Sequence, residues 1–211
     1  MRRASSRIGC LFACLGLLVI AGCSDQPKAP PRFHLNPQQA AEDAMKLYDK
    51  NGDGTLDAKK LLASPPLAAL LRNLKAANSN HPNSLTTRDI ADRLEQWQAL
   101  PTTLVSPLIM IRLDGKPLEG ATVTYDPEPF LGPSYHAHQG QTASNGAAVL
   151  NPECKGYPGV YVGLYRVRVS KVVGGEEIIP KRYNVETVLG REAAACVPPP
   201  YCDGIFDLKS K

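Results

Sequence analysis

The chain has 211 residues, 43% of them hydrophobic, with a formal charge of +4. That length admits one or two modest domains with real cores. Three of the basic residues lie before position 10 and the rest form no dense stripe, so the composition gives no reason to expect a nucleic-acid partner.

Residues 1–22 combine a positive start, Arg2, Arg3 and Arg7, with an apolar run from Ile8 to Ile20. The run is shorter than the roughly 20 residues a membrane-spanning helix needs, so it reads as a processed export signal. It closes on Ile20-Ala21-Gly22-Cys23. This ending resembles the lipobox of bacterial lipoprotein signals. The resemblance implies cleavage after Gly22, acylation of the Cys23 thiol with palmitate-type chains, and a protein exported to the cell envelope and tethered to a bacterial membrane. An ordinary secretory signal cut near Ala21, or a failed transmembrane helix, is the alternative. Cys10 and Cys14 leave with the signal. Cys154, Cys196 and Cys202 remain in an oxidising compartment, where they allow one disulfide, in any of three pairings, and one odd thiol.

Residues 23–35 are polar and proline-rich and read as a tether. Residues 36–100 form a helical domain by their apolar spacing. Asn36-Pro37-Gln38-Gln39 supplies an N-cap, a proline at the first helical position and Gln at N3. Ala40, Ala41, Ala44, Met45, Leu47 and Tyr48 then share one broad face. Ser64-Pro65 opens a second helix carrying Leu67, Leu70, Leu71 and Leu74. Thr86 and Asp89 make a capping box for a third, in which Ile90, Leu94 and Trp97 recur at helical spacing and Trp97 is a core residue.

Between the first two helices lies Asp49-Lys50-Asn51-Gly52-Asp53-Gly54-Thr55-Leu56-Asp57-Ala58-Lys59-Lys60. Calcium takes six to eight oxygens, and a twelve-residue loop presents them at alternate positions around a glycine turn at position 6. Asp49, Asn51 and Asp53 supply side-chain oxygens in that pattern, Thr55 its carbonyl, and Asp57 a direct or water-mediated contact. Gly54 supplies the turn. The loop resembles the EF-hand family. It departs from the family at position 12, where a bidentate Glu is expected and Lys60 stands. An ammonium only donates, and Lys50, Lys59 and Lys60 offset the three carboxylates. Any Ca2+ site is therefore expected at the weak end, about 10⁻⁴ to 10⁻³ M.

The resemblance also implies a partner loop. Asn78 to Asp89 fits, with Asn78, Asn80 and Pro82 at positions 1, 3 and 5, Asn83 in place of the glycine and Leu85 at position 8. Pro82 offers no side-chain oxygen, so this loop is expected to be structural, with Asn83 adopting the glycine-like turn. Leu56 and Leu85 are expected to meet between the loops. An ordinary polar loop before a capped helix is the alternative.

From Pro101 the period changes to short alternating runs, so residues 101–211 read as an all-β antiparallel domain of about seven strands, enough for a sandwich. Leu108 to Leu113, a turn at Asp114-Gly115 and a return over Ala121 to Tyr125 form a hairpin. Ser144-Asn145-Gly146 turns into Ala147 to Leu150. Tyr165, Val167 and Val169 alternate with Arg166, Arg168 and Ser170, which places both arginines on a solvated face. Shorter candidates lie at 177–179, 186–189 and 205–208, and residues 126–139 form a long exposed loop. The runs Asp114 to Val123, Gln141 to Ala148, Pro158 to Tyr161 and Tyr165 to Val167 resemble carboxypeptidase-regulatory or transthyretin-like β-sandwich modules. Ile179 to Asn184 with Glu186-Thr187 is similar to a pattern in planctomycete-type surface lipoproteins. Such modules are non-catalytic and imply an accessory role without naming a ligand.

No nucleophile elbow, phosphate loop or zinc-protease motif occurs. His136 and His138 would fall on one side of an extended segment, near enough in type to join Cys154 on a soft metal, against the simpler expectation of a surface loop. The expectation is a multidomain α + β lipoprotein, an EF-hand-like helical pair followed by a transthyretin-like sandwich. It is expected to bind calcium weakly, to have no catalytic activity, and to contact an envelope protein or glycan. A metal-free structural or adhesion scaffold is the alternative, and a hydrolase a distant one.

Overall fold

A computed structural model describes residues 35–150, 159–195, 197 and 204–211. The acylation expected at Cys23 and the disulfide expected among Cys154, Cys196 and Cys202 fall outside those residues. Helices come first and are followed by strands, mostly antiparallel, in several sheets.

The order of the helical part is α1 (Pro37–Tyr48), β1 (Thr55–Asp57), α2 (Ala58–Leu61), α3 (Pro65–Ala77), β2 (Ser84–Thr86) and α4 (Thr87–Gln98). Each long helix starts where its cap residue directs. The Asn36 side chain accepts from Gln39 N at 3.1 Å, Ser64 Oγ accepts from Leu67 N at 3.3 Å, and Thr86 and Asp89 satisfy each other's backbone N–H groups. Ala40, Ala41, Ala44, Ile90, Leu94 and Trp97 are buried where α1 and α4 meet. Leu47, expected on the same face, is 39% exposed because it falls at the edge of the stripe. β1 pairs antiparallel with β2, and Leu56 faces Leu85 with both side chains fully buried. The two loops are therefore tied together back to back.

The β part runs β3 (Leu104–Val105), β4 (Ile109–Leu113), β5 (Lys116–Pro117), β6 (Thr122–Pro127), β7 (His138–Gln141), β8 (Ala147–Ala148), β9 (Val160–Tyr161), β10 (Gly163–Ser170), β11 (Val172–Val173), β12 (Glu176–Glu177), β13 (Gly190–Ala193) and β14 (Gly204–Leu208). One sheet has the order β13-β10-β6-β7. A second has β14-β4-β5, with β8 also on β4, and β11-β12 and β3-β9 form separate two-stranded pairs. Ile109 and Ile111 from the second sheet share a buried cluster with Val123, Tyr125, Tyr165, Val167 and Val169 from the first.

Several expectations are corrected. Asp114 (φ 52°) and Gly115 (φ 81°) do form the tight turn, but the strand that returns is the short β5. β6 instead crosses to the other sheet and pairs with β10, where Val123 and Tyr125 are buried. β14 runs parallel to β4, so the strands are not all antiparallel; the long stretch of chain between the two supplies the crossover that a parallel pair requires. Residues 186–189 are not a strand, and β13 begins just after them. Residues 126–139 are not simply an exposed loop. Glu128, Phe130, Leu131 and His138 are buried, because a 3₁₀ turn at Pro129–Leu131 tucks its apolar pair into the helical core.

The helices cover the outer face of the β10 sheet. Val162 and Leu164 join Leu67, Leu70 and Leu94 in one cluster, so helical and β parts share a core even though the period changes near residue 101. The closest approach is at Gly190, where a Cβ would lie 2.0 Å from the Pro65 carbonyl carbon and 2.3 Å from Pro66 N. Both neighbours are backbone at the start of α3 and cannot rotate away. Gly190→Ala is expected to destabilise the protein by about 3 kcal/mol, the upper end for overpacking. Urea denaturation checks this, and a change below about 0.5 kcal/mol would show that α3 is not seated on β13.

Candidate functional site: a loop closed by an internal ammonium

α1 ends at Tyr48 because Asp49 leaves helical geometry, and its N–H still bonds back to Met45 O at 2.7 Å. Gly52 (φ 71°) and Gly54 (φ 81°) then take the left-handed conformation that a side chain disfavours. Gly54 N donates to Asp49 Oδ2 at 2.8 Å, which curls the loop around its own first carboxylate.

Lys60 fills the centre of that curl. Its Nζ donates to Asp49 Oδ1 at 2.7 Å, to Asp53 Oδ1 at 2.7 Å and to the Thr55 carbonyl at 2.8 Å. An ammonium has three protons, and all three are spent on oxygens expected to serve a metal. The hydrogen bond from Lys60 is the chief cause holding the Asp49 and Asp53 carboxyls below the ordinary carboxylate range. Desolvation pulls the Lys60 ammonium down, but the two carboxylates outweigh it and its pKa is raised. The ammonium and both carboxylates therefore remain charged across neutral pH.

The other two expected ligands are used differently. Asn51 donates from Nδ2 to Asp53 Oδ2 at 2.8 Å. Asp57 is the N-cap of α2, and its Oδ1 accepts from Lys60 N at 2.9 Å. Of the five residues read as ligands, Asp49, Asp53 and Thr55 converge, and they converge on Lys60. A calcium ion does not fit this donor set while the Lys60 ammonium occupies it.

The partner loop is also self-satisfied. His81 lies with Nδ1 3.0 Å from Pro82 O and Nε2 3.2 Å from Asp89 Oδ1, while Asp89 Oδ2 accepts from Thr86 N at 2.8 Å. Asp114 is the one non-glycine residue with positive φ among the described residues, so Asn83 does not adopt the glycine-like turn expected of it. The chain reverses earlier, through His81 N to Asn78 O at 2.9 Å, before Pro82 fixes its own φ.

Two buried carboxylates, neither singled out by sequence reasoning, fasten the helices to the sheet. Glu128 accepts from Tyr48 Oη at 2.5 Å and Ser64 Oγ at 2.8 Å, with Arg166 Nη2 3.3 Å away. Burial, with Glu128 adding to it, pushes the Tyr48 hydroxyl up to about 12, so it stays a donor. Arg166 also donates to Ala63 O at 2.6 Å. It was expected on a solvated face, but that face of β10 is the one the helices cover. Glu192 accepts from Asn73 Nδ2 at 2.7 Å, Arg93 Nε at 2.6 Å and Trp97 Nε1 at 2.9 Å. A signal for this existed: Asn73 and Arg93 fall at helical spacing on the apolar stripes of Leu70 and Ile90, where a polar residue is buried and must find a partner.

Arg168 pairs with Asp126. His136 is exposed and His138 is buried beside the rings of Tyr161 (5.9 Å) and Tyr165 (6.2 Å), so the two imidazoles do not share a side. Cys154 lies outside the described residues. Among the described residues no helix is long and apolar enough to cross a membrane. Comparison of the chain with protein-family models, with characterised proteins and with solved structures gives no match.

Proposed function

We propose that this chain is a membrane-tethered, extracytoplasmic and non-catalytic scaffold or binding protein, built as an EF-hand-like helical pair on a transthyretin-like β-sandwich, in which Lys60 takes the place of calcium. The observation that carries this reading is the Lys60 ammonium, hydrogen-bonded to three oxygens of the loop that calcium would otherwise use. A site whose cation is covalently attached is occupied at every calcium concentration, which suits a permanent support better than a sensor. The export signal and Cys23 support placement at the cell envelope, with the proline-rich segment 23–35 as spacer. The paired loops and the Glu128 and Glu192 anchors support a rigid unit that presents the β part to an envelope partner.

The test is a calcium titration of the full chain, read by calorimetry and by thermal unfolding. Neither heat nor a shift in melting temperature is expected up to 10 mM calcium. Saturable binding that Asp49→Ala abolishes would overturn the metal-free assignment and restore weak, calcium-stabilised binding as the function.

A further inference from the structure

We infer that the second loop is closed by the imidazolium form of His81, so that the paired loops make a proton-sensitive clasp, shut at acid pH and loosened as the pH rises through the histidine range. The inference rests on the scaffold role above and adds a control to it. What the two ring nitrogens face carries it. Nδ1 lies 3.0 Å from the Pro82 carbonyl oxygen and Nε2 lies 3.2 Å from Asp89 Oδ1. A carbonyl oxygen only accepts, and so does an ionised carboxylate. A neutral imidazole has one N–H, so it can serve one of these oxygens and turns a lone pair toward the other. Only the imidazolium donates to both. The His81 side chain is 12% exposed and that of Asp89 28%, so water has little room to take over an abandoned contact.

Asp89 is ionised where this matters. Burial pulls its carboxyl up, but hydrogen bonds from Thr86 and His81 outweigh that and hold it below the ordinary carboxylate range. Three further charges on the flanking elements are engaged elsewhere. Lys75 of α3 donates to the Asn83 side chain, Arg88 of α4 pairs with Asp92 at 3.5 Å, and Asp57 of β1 caps α2. The effect of the ring proton reaches past the ring because Asp89 is shared. Its Oδ2 accepts from Thr86 N at 2.8 Å and from Thr86 Oγ1 at 2.7 Å, the capping box of α4. Thr86 ends β2, opposite Thr55 of the first loop. His81 N in turn donates to Asn78 O at 2.9 Å and sets the reversal that leads into β2. Loss of one ring proton therefore unties that reversal from the start of α4. A proton held more tightly by the folded loop than by the unfolded chain stabilises the fold at low pH, and that contribution is lost as the pH rises.

Amide hydrogen exchange on the full chain, expressed as protection relative to the unfolded chain, tests this at about pH 5.5 and about pH 8, either side of the range in which an imidazole titrates. The N–H groups of His81 and Thr86 are expected to lose at least about tenfold in protection between the two, the worth of one hydrogen bond to a charged group. The Gly54 N–H, bonded to Asp49 in the loop that Lys60 closes, should keep its protection at both. In His81→Gln, whose amide does not titrate, Thr86 should be equally protected at both. Unchanged protection of Thr86 in the wild type, or the same loss in His81→Gln, would overturn the inference. So would a parallel loss at Gly54, which would mark a general loosening of the fold. Calcium binding at the first loop would overturn the Lys60 assignment and leave the exchange of Thr86 as its own result.

Discussion

Glu192→Ala is expected to destabilise the protein by about 3–5 kcal/mol, the range for removing one partner of a buried ion pair. The Glu192 side chain is fully buried and Arg93 nearly so. With the carboxylate gone, the Arg93 guanidinium stays buried without its counter-ion, and the Asn73 amide and Trp97 indole N–H lose their acceptor at the same time. The loss falls at the junction, since Asn73 is on α3, Arg93 and Trp97 on α4, and Glu192 on β13. Urea denaturation monitored by Trp97 fluorescence measures it. Glu192→Gln should fall between the wild type and the alanine variant, because an amide keeps one acceptor oxygen but sets a donor against one of the three donors. A drop below about 1 kcal/mol for the alanine variant would mean that the apolar cluster alone holds helices and sheet together.

Lys60→Glu is expected to turn a calcium-indifferent loop into a calcium site with a Kd of about 10⁻⁴ M or tighter. The exchange removes the ammonium from Asp49, Asp53 and the Thr55 carbonyl and adds two carboxylate oxygens at position 12 of the loop. Without calcium the variant should melt below the wild type, because Asp49 and Asp53 then face each other with no cation between them. With calcium well above its Kd the melting temperature should rise, since an ion that binds only the folded state stabilises it. Lys60→Met separates the two effects by removing the ammonium without adding oxygens. It should lose stability and bind less tightly than the glutamate variant. If Lys60→Glu binds no calcium at 10 mM, something other than Lys60 keeps the loop free of the ion.

Much of the helical part was legible in the sequence because its signals are local. Caps at Asn36, Ser64 and Thr86 act on backbone groups two or three residues away, and the spacing of Ile90, Leu94 and Trp97 is a property of one helix. The contact between Leu56 and Leu85 followed from matching positions in two similar loops. In β10 the alternation correctly assigned Tyr165, Val167 and Val169 to the buried side. Strand pairing was less legible. Nothing local distinguishes a return strand beside β4 from one that crosses to β10, and β6 took the second course.

Helix starts, the loop that offers oxygens to a cation, and the presence of Lys60 where a metal ligand was expected could all be read from local sequence. That Lys60 is itself the cation emerges only in the folded chain, because the side chain must reach back across the curl to atoms as far as eleven residues away in sequence. Tertiary contacts also decide that Arg166 lies under the helices, and that Glu128 and Glu192 are buried anchors joining parts of the chain 64 to 119 residues apart. Periodicity states that a strand has two faces. What covers the second face depends on contacts made by distant segments, and those exist only once the chain has folded.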